Sequence, residues 1–128
     1  QQWKEIMNRD NIYLLKTEEW DPLKVIAISD VNVTLDLSSP STIALVCGRL
    51  GLFYNTMEGY VHHPLYPKYR DILIFNDIEK LLDRISQYIS NGVKANNLID
   101  DKDLECFDTY RDDKGLERFR RVVLSYSN

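Results

Sequence analysis

Cysteine is scarce in this chain. Its 128 residues hold two, Cys47 and Cys106, far apart and in no metal-ligand or redox spacing. A disulfide scaffold is thereby excluded, and the expectation is two reduced, partly buried thiols of a cytoplasmic protein. Long apolar runs are also missing, with nothing near the ~18 uninterrupted apolar residues that a membrane span needs. Nor is there an excess of basic charge. Sixteen Lys and Arg stand against twenty Asp and Glu, a net charge of −4, whereas proteins that track phosphate backbones are usually basic, so no nucleic-acid partner is expected. Glycine occurs five times, never as Gly-x-Gly-x-x-Gly or in a nucleophile elbow, and the markers of a nicotinamide dehydrogenase or a serine hydrolase are therefore absent. No charged-then-apolar leader precedes Gln1-Gln2-Trp3. That start, without Met, reads as an internal cut in something longer, and Asn32-Val33-Thr34 carries no weight as a glycosylation sequon.

What is present is ordinary globular composition, 44% hydrophobic and 28% charged, spread over residues 1–128 without repeat, linker or low-complexity tract. One domain of α/β type is expected. Asn11-Ile12-Tyr13-Leu14-Leu15 reads as a strand. Asp21-Pro22 reads as a helix start, Asp as N-cap and Pro where a missing N–H costs nothing, with Leu23, Ile26 and Ala27 on one face and an end near Ser29-Asp30. Residues 31–35 form the second strand. Residues 36–42 form a polar turn into an apolar helix that Gly48 stops, because glycine takes the left-handed conformation freely. Residues 50–54 are the third strand and 72–75 the fourth. Asn76-Asp77 then caps a helix whose Ile78, Leu81, Leu82, Ile85 and Ile89 make an amphipathic stripe, closed by Asn91-Gly92. A polar stretch follows to about Asp103, and residues 116–126 read as a last helix with Leu116, Phe119, Val122, Val123 and Tyr126 on one side. Strand and helix alternating in this way mark a doubly wound, Rossmann-like, mostly parallel sheet.

Ligands of open α/β sheets bind beyond the carboxyl ends of the strands. Two loops of suitable composition lie there. In the first, Ser38, Ser39, Ser41 and Thr42 surround a helix N-terminus, where free N–H groups and the dipole favour a phosphate; the alternative is that Ser39 merely caps the helix. The second, residues 55–69, is long and rich in Tyr, His and Pro. Its Glu58 or His62 could act on a substrate hydroxyl, while adjacent His62 and His63 point apart and make a poor metal site. The alternative there is a tyrosine-rich loop packed on the sheet edge. Asp108, Arg111, Asp112 and Asp113 form a charged cluster, most simply the start of the last helix. Arg118, Arg120 and Arg121 make a basic run that is either solvated or docks another domain or an anionic membrane surface.

The run 28–33, then Ser38-Ser39-Pro40-Ser41-Thr42-Ile43-Ala44-Leu45, then Gly48-Arg49-Leu50-Gly51-Leu52-Phe53-Tyr54, resembles the C-terminal, donor-binding domain of GT-B-fold glycosyltransferases of the bacterial surface-polysaccharide type. Residues 71–85 resemble a later strand and helix of those domains, and 106–118 their tail. The resemblance implies a nucleotide-sugar donor, no metal and no other cofactor. It places the donor phosphates on Ser38, Ser39, Ser41 and Thr42 and implies an acceptor domain upstream that this chain lacks, so that the chain alone is inactive. The implied location is cytoplasmic, at the inner face of the membrane where the basic helix allows. Two positions depart from the pattern: Ile43 or Ala44 stands where many members hold the donor ribose with a glutamate, and Leu50 stands in place of a proline. A non-catalytic α/β interaction module and a sugar-nucleotide epimerase are the competing readings.

Overall fold

The computed structural model describes residues 11, 13, 15, 20–56, 63–107, 112, 114 and 117. Its order is α1 (Pro22–Ile28), β1 (Val31–Leu35), α2 (Ser39–Val46), β2 (Leu50–Tyr54), α3 (Tyr66–Tyr69), β3 (Ile74–Phe75), α4 (Ile78–Ser90), a 3₁₀ turn at Ala95–Asn97 and α5 (Asp101–Leu104). The three strands form one parallel sheet in the order β1-β2-β3. Val31 pairs with Leu50 and Leu35 with Tyr54; Phe53 pairs with Ile74. The chain is thus α/β, a small parallel sheet flanked by helices and compatible with a Rossmann-like fold.

Local chemistry sets the helix ends. The Asp21 carboxylate accepts from the Leu23 N–H at 2.9 Å, and Asp77 accepts from the Glu79 and Lys80 N–H groups at 2.9 and 3.3 Å. Each satisfies amides that the helix itself leaves open. Gly48 and Gly92 take φ of +74° and +60°. Around them Gly48 N–H donates to Leu45 O and Arg49 N–H to Ala44 O, while Gly92 N–H donates to Ile89 O and Val93 N–H to Tyr88 O. Both are Schellman stops.

Parity then divides the sheet. Asn32, Thr34, Gly51, Phe53 and Asn55 share one face, and Val31, Val33, Leu35, Leu50, Leu52 and Tyr54 the other. α2 lies directly on the first face: a Cβ built on Gly51 would stand 2.0 Å from the Ser41 carbonyl oxygen, an approach that only glycine allows. α4 lies on the second face, where Leu50 and Ile89 border one cavity and Phe75, Lys80 and Arg84 another. The core holds Leu45, Leu52, Phe53, Leu73, Ile74, Phe75 and Leu81, all nearly inaccessible.

Several expectations change. Asn11, Tyr13 and Leu15 are not in a strand, and Tyr13 is 80% exposed; the remainder of that segment lies outside the described residues. The fourth strand is only Ile74–Phe75, because Asp71 takes φ of +58° and the chain is still turning at Ile72 and Leu73. Of the α1 face only Ile26 is buried, and in α4 Ile78, Leu82 and Ile89 are exposed. Both cysteines are free and exposed rather than partly buried; Cys47 sits past the end of α2 as its C-cap. The polar stretch after Gly92 is ordered by Ala95, Ile99 and Leu104, which enter the core. The expected last helix lies outside the described residues except for Glu117, which is helical. No helix among the described residues is long and apolar enough to cross a membrane.

That ordered stretch is held by charge as well. Lys68 Nζ lies 2.5 Å from carboxylate oxygens of Asp100 and Asp103, and the Tyr69 hydroxyl donates to Asp103. The Lys68 ammonium, followed by the Tyr69 hydroxyl, holds the Asp103 carboxyl below its ordinary value. A carboxyl with a lowered folded pKa contributes stability above its unfolded pKa, and the contribution is lost as the pH falls through the folded value. The gap in denaturation midpoint between the parent protein and Asp103→Asn should therefore be full at pH 6 and should close below the ordinary carboxylate value of 3.8. A gap that stays constant down to pH 2 would show that the ionised carboxylate is not what matters.

Candidate functional site

The carboxyl end of the sheet collects the polar residues that follow each strand. β1 runs into Asp36, whose φ is +53° and whose carboxylate accepts from the Thr56 N–H at 2.9 Å and the Thr56 hydroxyl at 3.2 Å. The turns after β1 and β2 are thus tied together. After β3, Asn76 Oδ1 accepts from the Tyr66 hydroxyl at 2.9 Å. Tyr66 and Tyr69 are buried, so this part of the tyrosine-rich segment does pack against the sheet.

The first turn of α2 opens at this edge. Ser38 takes the N-cap position, yet among the described residues no side chain caps the helix. Its hydroxyl turns back and donates to Leu35 O at 3.0 Å. α1 and α4 both carry a capping aspartate; α2 leaves its first-turn amides to another acceptor. Ser39 is exposed. Thr42 donates its hydroxyl to Ser38 O at 3.3 Å. Ser41 is placed differently from the expectation. It is fully buried, and its hydroxyl donates toward Leu52 O at 2.8 Å and Asn32 O at 3.1 Å. One O–H shared between two strand carbonyls fastens the helix to the sheet and leaves no hydroxyl for a ligand. Its position in the helix turns it inward, which composition alone does not reveal.

Glu58 and His62 lie outside the described residues. His63 is described, and its Nδ1 accepts from the Leu65 N–H at 3.3 Å, a local turn contact. Of the charged cluster before residue 116, Asp112 is described and accepts from the Lys114 N–H at 3.2 Å; Asp108, Arg111 and Asp113 lie outside. Among the described residues no group of three or more His, Cys, Asp and Glu is arranged to hold a metal ion.

Asn55 was not anticipated. It follows β2, the central strand, and shares a sheet face with α2 at the edge where that helix begins. It is 4% exposed, and among the described residues neither its Nδ2 nor its Oδ1 has a hydrogen-bond partner. A buried amide with both ends unpaired costs several kcal/mol on the order of ~2–7, so a polar group that completes it is well rewarded. The only sequence signal is an Asn directly after an apolar strand, which reads equally well as a turn residue.

Beside the same first turn, a cavity of about 250 Å³ lies between α1 and α2, walled by Trp20, Pro22, Val25, Ile26 and Pro40 with Asn32 at its border. Asn32 Nδ2 is likewise buried and unpaired. Mostly apolar walls with a few polar groups are the usual lining of small-molecule pockets. The uncapped first turn of α2, where Ser39 and Ser41 carry N–H groups and Pro40 carries none, thus borders an apolar recess.

Comparison of the chain with protein-family models, with curated proteins and with solved structures finds no match.

Proposed function

We propose that this chain is the donor-binding part of a nucleotide-sugar-dependent glycosyltransferase of the GT-B, doubly wound type, acting in cell-surface polysaccharide synthesis. The observation that carries the reading is the uncapped first turn of α2, open at the carboxyl end of a parallel sheet. Its free amides and the helix dipole suit the donor diphosphate, with Ser39 the serine best exposed to it. Asn55 completes its amide on the ligand, and the recess beside Trp20 takes the base.

In the whole enzyme this turn would stabilise the negative charge that develops on the leaving nucleotide, by pre-aligned dipoles and without a metal ion. The reaction moves a glycosyl group from the nucleotide diphosphate to an acceptor hydroxyl. The sugar–phosphate C–O bond breaks, its electron pair goes to the phosphate, and the acceptor proton goes to a base in the acceptor domain. A non-catalytic α/β interaction module is the second reading, favoured by the apolar side chains that α4 and β1 leave exposed. The peripheral membrane contact and the inner-face location remain part of the first proposal, through Arg118, Arg120 and Arg121.

The test is an amide NMR titration of the full chain with UDP, GDP, CMP and CDP, repeated on Asn55→Leu. The expected result is shifts at residues 38–42 with at least one nucleotide, weakened roughly tenfold or more in Asn55→Leu. That variant should also be more stable by about 1–2 kcal/mol, because a buried unpaired amide is gone. Silence with all four nucleotides in the folded parent would remove the donor-site reading. Equal affinity in the two proteins would remove Asn55 from it.

A further inference from the structure

Asn55 has two unlike hydrogen-bonding ends. Nδ2 carries two donors, and Oδ1 accepts through two lone pairs. Its backbone is already committed, the N–H donating to Phe75 O at 2.7 Å, so the residue is fixed to the end of β3 while its amide stays open. Polar side chains at the same edge are turned elsewhere. Asp36, beside Asn55 when the β1–β2 register is carried one residue further, accepts from Thr56, and Asn76 accepts from Tyr66. Thr34 shares the face, and its Oγ1 is also buried and, among the described residues, unpaired. A buried hydroxyl and a buried amide that do not pair with each other thus lie on the face that α2 covers.

The chemistry of the two ends decides what completes them. A phosphate oxygen only accepts. It would pair with Nδ2 but bring a second acceptor up to Oδ1, which stays unpaired and is repelled. The first-turn amides of α2 are donors throughout and suit a phosphate better. A carboxamide is complemented by a donor and an acceptor side by side. A nucleotide has two such groups apart from its phosphates, the edge of the base and the vicinal hydroxyls of the ribose. The recess that takes the base is bordered by Asn32 of β1 and not by Asn55, which follows β2, the next strand of the sheet. Covalent order places the ribose between base and phosphate, and hence between that recess and the first turn of α2. One ribose hydroxyl accepts from Nδ2 while its neighbour donates to Oδ1.

We propose that Asn55 binds the ribose 2′,3′-diol of the nucleotide and so selects ribonucleotides over their dideoxy forms. This role rests on the donor-site reading above and adds to it the part of the ligand that Asn55 touches. A ligand without the two hydroxyls leaves both ends of the amide unpaired. A site built to hydrogen-bond a hydroxyl rejects such an analogue more strongly than an apolar pocket rejects a smaller ligand.

Amide NMR titrations of the full chain test it, with the tightest-binding of UDP, GDP, CMP and CDP and with the 2′,3′-dideoxy counterpart of that nucleotide, in the parent and in Asn55→Leu. The parent should bind the ribonucleotide roughly tenfold or more tightly than the dideoxy form. Asn55→Leu should bind the two alike, at the parent's affinity for the dideoxy form. The side-chain NH₂ signals of Asn55, identified by their absence from Asn55→Leu, should move with the ribonucleotide and stay in place with the dideoxy form. Equal binding of the two forms by the parent would overturn the proposal, as expected of an Asn55 that faces the transferred sugar. So would a loss of dideoxy affinity in Asn55→Leu as large as the loss for the ribonucleotide, because Asn55 would then touch the phosphate or the base. Both of these results keep the shifts at residues 38–42, and the donor site stands. Silence with every nucleotide removes the donor site and the role of Asn55 with it.

Discussion

Gly51→Ala is expected to destabilise the protein by at least ~3 kcal/mol, and in a domain of this size that removes much of the margin over the unfolded state. The added methyl would stand 2.0 Å from the Ser41 carbonyl oxygen and 2.8 Å from its carbon. Both are backbone atoms of α2, so no side chain can rotate away. Relief requires lifting the helix from the sheet, which stretches the bonds from the Ser41 hydroxyl to Leu52 O and Asn32 O. Gly92→Ala supplies the comparison. Its φ is +60°, but nothing lies within 4 Å of the new Cβ, and the cost is the conformational one alone, about 1 kcal/mol. Urea denaturation of both variants measures the difference. Equal losses would mean that α2 does not rest on Gly51.

Phe53→Ala carries the next largest effect, a loss of about 3–5 kcal/mol. Phe53 is 2% exposed and lies mid-sheet, its N–H donating to Leu73 O at 2.8 Å. With α2 above and β3 beside it, little can collapse into the space that its ring leaves. Leu23→Ala, on α1, should cost less than ~1 kcal/mol, because Leu23 is 57% exposed. From hydrophobicity alone both residues belong to the core. The same urea experiment ranks them, and comparable losses would contradict the burial described above.

Pairs of this kind show where sequence reasoning reaches. Asp21, Asp77, Gly48 and Gly92 could be placed from the chain because a cap needs only its own turn: a carboxylate within reach of two amides, or a residue free to take positive φ. The parallel α/β alternation was legible for the same reason, since period and length are local. β3 was overestimated because Ile72 and Leu73 have strand character, whereas Asp71 turns the chain through them first. The order within 95–104 went unread because Ala95, Ile99 and Leu104 are too sparse to form a pattern until a surface is there to receive them.

The candidate site divides along the same line. That a polar, serine-rich turn enters a helix after the second expected strand is written in residues 36–42. Which of its hydroxyls faces solvent is not, because helix rotation is set by contact with the sheet: Ser41 turns inward and Ser39 outward. Asn55 gains its interest only from burial, and burial is a property of the assembled layers. By itself the sequence determined α1, β1, α2, β2 and α4, the residues that cap or stop those helices, and the parallel α/β class of the sheet, through propensities that act over a few residues. Tertiary structure alone decided which half of the α4 stripe is used, which serine is spent on the sheet, and which amide is left unpaired, because those depend on atoms brought together from distant parts of the chain.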